Sequence, residues 1–216
     1  MPLTEHYFTR FTEGNFFHVY NRSVDRKPLF KNEGNYSFFL NRFDKYLSPV
    51  LDIYAYSLLV NHFHFLVSVK KNLLEVDLTT FKKLSNANEH YQDITVHDIV
   101  SHQFRKFFQS YAMAFNKQQN RIGTLFQTPF KRALIDQQQY LNQIVYYIHT
   151  NPQYHKLIND FRSWNWSSYN KILNDKQSKL KKKEVLQWFG NKELYLLYHS
   201  GMKNVNIDKR YIIEED

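Results

Sequence analysis

Val60-Asn61-His62-Phe63-His64-Phe65-Leu66-Val67 is the stretch on which the reading of this chain turns. It lies in an apolar run from Leu51 to Val69, rich in β-branched and aromatic residues, that reads as two strands turning near Leu59-Val60-Asn61. Side chains alternate between the faces of a strand, so His62 and His64 project together, roughly 6–7 Å apart at the usual rise. Phe63, Phe65 and Val67 then point the other way. Two imidazoles side by side against a hydrophobic layer make half of a metal site. The spacing leaves a structural role open as well, since ten histidines in a chain of this length give roughly half an H-x-H pair by chance. A third ligand has to come from elsewhere.

On the N-terminal side, Phe16 to Arg22 reads as a strand, and Asn32 is placed to cap a helix whose apolar positions Tyr36, Phe39, Leu40, Phe43 and Leu47 follow helical spacing up to Pro49. After the hairpin comes a polar insertion, about 70–97, with one short helix expected over Leu78 to Leu84. Asp98 to Asn116 carries Ile99, Phe104, Phe107, Phe108, Tyr111 and Phe115 at helical intervals. Gly123 marks a turn, Phe130 to Ile135 a fourth strand, and Gln137 to Asn151 a further helix that Pro152 is expected to stop. The order strand, helix, strand, strand, helix, strand matches an α+β, ferredoxin-like split βαβ fold. Such a fold has a four-stranded antiparallel sheet with helices on one face. The histidine strand is normally central there, and the helix after the fourth strand is left to cover the face from which His62 and His64 project.

That last helix places Gln143, Tyr147 and Asn151 on one stripe at i, i+4 and i+8. A phenol and an amide one turn apart, laid over two imidazoles, offer a nucleophile beside an N,N,O metal site. The alternative is a half-buried aromatic with no chemistry. Tyr146 and His149 point elsewhere on the helix.

Composition sets the class of partner. The chain has 29 Lys and Arg against 20 Asp and Glu, together with 19 Phe and 16 Tyr, a mixture suited to a polyanion whose bases can stack. The absence of cysteine excludes disulfides, iron–sulfur clusters and thiolate zinc sites, and fits a reducing cytoplasm. No apolar segment is long enough for a membrane span and Met1 to Arg10 lacks a signal-peptide core, so a cytoplasmic protein without a membrane partner is expected.

Five motifs in order carry a family resemblance: His18-Val19-Tyr20-Asn21-Arg22, Asn61-His62-Phe63-His64, Gly123-Thr124-Leu125-Phe126-Gln127, Tyr147-Ile148-His149-Thr150-Asn151-Pro152 and Trp164-Asn165-Trp166-Ser167-Ser168-Tyr169. From Phe17 to Tyr169 the chain resembles the single-tyrosine HUH transposases, in the branch related to the REP-associated tyrosine transposases. The resemblance implies that His62, His64 and Asn151 hold a divalent ion, Mg²⁺ or Mn²⁺, and that Tyr147 is the nucleophile of a DNA endonuclease and strand transferase. Asn151 stands where related enzymes can carry Gln, and Val60 replaces the usual Pro before Asn-His. The products implied are a 5′-phosphotyrosine and a free 3′-hydroxyl, in single-stranded DNA beside hairpins, and several relatives act as homodimers. Two other classes stay open: a domesticated hairpin DNA- or RNA-binding protein of the same fold, and a metal-dependent phosphodiesterase that uses water.

For DNA contacts the candidates are Arg22, Arg26, Lys31 and Arg42, Arg105 and Lys106 on the second long helix, and Lys131 and Arg132 entering the fourth strand, Arg132 foremost. The organisation expected is a catalytic domain over 1–170, a basic linker over 171–183, and a helical appendage with a tail over 184–216.

Overall fold

The structure, a computed structural model, describes residues 5–76, 94–201 and 209–211. The short helix expected over Leu78 to Leu84 lies outside them. The described elements are strands β1 (Phe16–Arg22), β2 (Leu51–Leu58), β3 (His62–Val69) and β4 (Lys131–Ile135). The main helices are α1 (Glu33–Tyr46), α2 (Val96–Gln118) and α3 (Leu141–Tyr154), followed by α4 (Tyr169–Leu173), α5 (Lys182–Phe189) and α6 (Lys192–Gly201). The sheet runs β2-β3-β1-β4 with every neighbouring pair antiparallel, so the fold is α+β with the split βαβ order and β3 in the interior.

Local chemistry sets the helix starts. The Asn32 side chain accepts from the Asn35 backbone N–H at 3.0 Å to open α1, and Thr95 with Asp98 forms a reciprocal capping box at the start of α2. Both helices turn aromatic stripes onto one face of the sheet. Phe39 lies 5.1 Å from Phe63, 4.8 Å from Phe107 and 4.9 Å from Tyr111, centroid to centroid, and Phe65 stacks on it at 6.2 Å. Burying each such ring contributes about 1.5–3 kcal/mol, so this aromatic layer is the main hydrophobic anchor of β3. The strand period then leaves His62 and His64 no choice but the opposite face.

That opposite face is covered too. Leu141, Ile144, Val145 and Ile148 of α3 pack with Tyr54, Ala55, Leu66 and Ile135 of the sheet, and α4 to α6 extend the layer through Ile172, Val185, Phe189 and Tyr195. A buried polar chain fastens α6 to α3. His149 Nε2 lies 2.7 Å from Ser168 Oγ, His149 Nδ1 lies 3.1 Å from His199 Nε2, and His199 Nδ1 lies 2.8 Å from the Tyr195 carbonyl. Gly190, at φ +99°, turns the chain between α5 and α6, where a Cβ would stand 2.8 Å from Leu194 Cδ1. Within the lysine-rich stretch 176–183, the Lys181 N–H donates to the Ile53 carbonyl at 2.9 Å, which shields the edge of β2.

Pro152 does not stop α3, contrary to expectation. Its fixed φ suits a helix; it takes the i+4 donor from the Ile148 carbonyl and crowds that oxygen, but one turn from the helix end the bonding after it continues, with His155 N–H donating to Asn151 O at 3.0 Å and Leu157 N–H to Pro152 O at 2.9 Å. Among the described residues no helix is long and apolar enough to cross a membrane.

Candidate active site

Cross-strand register assembles one wall of the site. On β1, Arg22 is paired with His62 and Tyr20 with His64, and on β4 Lys131 is paired with Tyr20, so all five share a face. The His62 and His64 rings are 5.3 Å apart, edge to face. His18, next along that face, places Nε2 2.9 Å from His64 Nδ1, while its Nδ1 lies 2.7 Å from the Tyr211 carbonyl. Nδ1 of His62 lies 2.7 Å from Asn61 Oδ1.

Helix α3 supplies the second wall. The Tyr147 ring stands edge-on to His18 at 5.7 Å and to His64 at 5.6 Å, and Asn151 follows one turn later. His155, which caps α3, brings a further imidazole to 4.8 Å from His62. The structure thus brings together His62, His64, Tyr147 and Asn151, with Arg22 at the margin. All are buried: His64 is 0 % exposed, Asn151 1 %, His62 6 %, Arg22 7 % and Tyr147 8 %.

Burial governs the electrostatics. It holds His62 down to about 3, helped by the positive charge of nearby His155 and Arg22 and opposed by the Asn151 amide. It pushes His64 well below the usual histidine range, with His18, His62 and His155 adding to the effect. Burial also takes His18 to about 4, against the opposing pull of the Tyr211 carbonyl. All three rings are therefore neutral at neutral pH, the state in which an imidazole offers a lone pair to a cation.

The polar atoms at the centre are unsatisfied. Among the described residues His64 Nε2 and both amide atoms of Asn151 are buried without a hydrogen-bond partner, and so is Gln143 Oε1 one turn before Tyr147 on α3. The Asn151 amide is close enough to raise the proton affinity of both imidazoles, yet neither of its atoms reaches hydrogen-bond geometry. Leaving such groups unmade costs about 1–3 kcal/mol each, a cost that a bound cation would remove at the lone-pair atoms, His64 Nε2 and Asn151 Oδ1. Among the described residues no group of three or more His, Cys, Asp or Glu is arranged to hold a metal, so a three-ligand site here requires the amide. Two imidazole nitrogens and one amide oxygen make a mixed N,N,O donor set suited to a divalent cation that accepts both nitrogen and oxygen ligands.

The basic residues separate by strand parity. Lys131 is on the site face, its ammonium 5.5 Å above the Tyr7 ring. Arg132 faces the other way: its Nε donates to the Thr9 carbonyl at 2.7 Å, its Nη2 to the Phe8 carbonyl at 3.3 Å, and its guanidinium stacks on Phe11 and Phe130. This placement runs against the expectation that Arg132 leads the DNA contacts, because the side chain is committed to the N-terminal segment. Arg105 and Lys106 sit on α2 and Arg42 on α1, across the sheet from the histidines. Arg26 lies in the exposed loop after β1, where its carbonyl accepts from Asn61 Nδ2 at 2.8 Å. The sequence reading missed His18, Tyr211 and His155. Of these only His18 carried a visible signal, its place two residues before Tyr20 on the face of β1 that meets His64.

Comparison with protein-family models and with curated proteins found no match. Among solved structures the chain is similar to a REP-associated tyrosine transposase bound to a REP hairpin, with a TM-score of 0.54 and 16 % identity over 76 % of this chain and 82 % of that one. The likeness shows a shared fold.

Proposed function

We propose that this protein is a metal-dependent single-strand DNA endonuclease and strand transferase, a transposase of the single-tyrosine HUH type, acting at sites beside DNA hairpins. The observation that carries the reading is the meeting of Tyr147 and Asn151 on α3 with His62 and His64 on β3, around the Asn151 amide and His64 Nε2, which have no hydrogen-bond partner among the described residues. The similar transposase with its bound hairpin supports the choice of nucleic acid as substrate.

In this mechanism His62, His64 and Asn151 would hold one divalent ion, Mg²⁺ or Mn²⁺, which when bound would supply positive charge against a nonbridging phosphate oxygen. Two neutral imidazoles and an amide add no negative charge of their own to the site. The Tyr147 oxygen forms a bond to phosphorus as the bond from phosphorus to the 3′ oxygen breaks. The phenolic proton leaves Tyr147 and a proton is gained by the departing 3′ oxygen, giving a 5′-phosphotyrosine and a 3′-hydroxyl. The phosphoester bond is conserved, so a second 3′-hydroxyl can reverse the step and join strands. Arg22 and Lys131 on the site face, and Arg26 in the loop beside it, draw the DNA backbone toward the site.

The test uses purified protein with Mn²⁺ and end-labelled single-stranded hairpin oligonucleotides taken from the DNA flanking its own gene. A labelled covalent adduct that is lost in Tyr147→Phe and in His64→Ala supports the proposal. Cleavage that survives Tyr147→Phe without an adduct would replace it with a water-using phosphodiesterase.

A further inference from the structure

Two hydrogen-bond chains run from the imidazoles of the site to backbone carbonyls, and each fixes where a proton resides. A carbonyl oxygen can only accept, so His18 donates from Nδ1 to the Tyr211 carbonyl, 2.7 Å away. A neutral imidazole has a single N–H, so His18 Nε2 is a lone pair, and the contact of 2.9 Å with His64 Nδ1 requires His64 to be the donor. His64 Nε2 is then bare, and it is the nitrogen that is buried without a partner among the described residues. The second chain follows the same logic. Asn61 Nδ2 donates to the Arg26 carbonyl at 2.8 Å, which orients the amide and turns Oδ1 toward His62 Nδ1, 2.7 Å away. His62 therefore donates from Nδ1, and its Nε2 is the lone pair.

We propose that His18, anchored on the Tyr211 carbonyl, and Asn61, anchored on the Arg26 carbonyl, are positioning residues that lock His64 and His62 in the Nδ1–H tautomer and so present both Nε2 lone pairs to one cation. A free histidine side chain favours the opposite tautomer, with the proton on Nε2, which would aim an N–H at the ion. The inference rests on the reading of this site as a metal centre. It adds that the site is assembled in part by residues 209–211, which are held beside the end of β4 by the Tyr211 hydroxyl and Arg210 on Asp136. Sequence separation from the histidine strand hides this link.

The tautomers are read directly in the metal-free, full-length protein from the ring nitrogen shifts and long-range proton couplings of ¹⁵N-labelled histidine. Nδ1–H signatures at His62 and His64 are expected; an Nε2–H signature at His64 overturns the proposal. Mn²⁺ alone then serves as the probe of affinity by calorimetry. His18→Leu weakens Mn²⁺ binding about 10–100-fold, and His18→Gln recovers part of it because its Oε1 can accept from His64 Nδ1. Unchanged affinity in folded His18→Leu also overturns the proposal. If that variant does not fold, the wild-type tautomers still decide. Wild-type protein with Nδ1–H at both rings but no affinity for Mn²⁺ would remove the metal reading while leaving the two hydrogen-bond chains in place.

Discussion

Acidification should unfold this protein through its buried histidines, at pH values where carboxylates are still ionised. Burial holds His18 and His199 at about 4 and His62 at about 3, against about 6.5 for an exposed histidine. The folded state therefore binds fewer protons than the unfolded chain in the window between. With a depressed folded pKa, the stabilising contribution is complete above about pH 6.5 and is lost as the pH falls toward the folded value. At about pH 5 the unfolded form of each ring gains about 2 kcal/mol over the folded form, or roughly 6 kcal/mol for the three. That is a large part of the roughly 5–15 kcal/mol that holds a typical domain together. Urea unfolding followed by tryptophan fluorescence in the presence of a chelator, between about pH 7.5 and 5, measures the loss with carboxylate titration largely outside the window. An unfolding free energy that moves by less than about 1 kcal/mol across this range would refute the reasoning, as would folded-state imidazoles that titrate near their exposed value.

Four substitutions probe other parts of the account. Asn151→Leu removes two buried polar atoms that are unpartnered among the described residues, so the metal-free protein should be unchanged or more stable by about 1–3 kcal/mol while Mn²⁺ binding is abolished; a loss of stability in urea would count against the amide's lack of a protein partner. Lys131→Ala should weaken hairpin DNA binding and lower its salt dependence by about one ion, whereas Arg132→Ala should cost about 2 kcal/mol of stability and spare DNA affinity at equal folded fraction. Fluorescence anisotropy across a salt series separates the two, and the reverse ranking would contradict the assignment by strand face. Phe65→Ala, in the layer between β3 and α1, should cost about 3–5 kcal/mol by thermal or urea unfolding, and a cost under about 1 kcal/mol would mean that this layer does not anchor the strand.

Much of the architecture could be read from periodicity because the chain is so aromatic. Phe63 and Phe65 between His62 and His64 declare a strand with one apolar and one chemical face, and the spacing of Phe104, Phe107 and Tyr111 declares the helix that covers the apolar side. Parity beyond the hairpin was harder. Lys131 and Arg132 are adjacent and equally basic, and only the register of β4 on β1 decides that the first shares the face of the histidines and the second faces the N-terminal segment. Pro152 reads as a terminator, but whether a proline ends a helix depends on where the following N–H groups find acceptors, which no local pattern records. The Tyr211 carbonyl is the extreme case. A backbone oxygen has no sequence signature, and its partner His18 lies at the other end of the chain.

The central claim is that Tyr147 attacks the phosphodiester. The direct measurement is mass spectrometry of the covalent protein–DNA adduct formed with Mn²⁺ and a hairpin oligonucleotide, after nuclease trimming and proteolysis. The account predicts a phosphonucleotide on the peptide that contains Tyr147, located on that residue and joined through the 5′ phosphate. A nucleotide on Tyr20 or Tyr146, or cleaved DNA with no modified tyrosine, would contradict it.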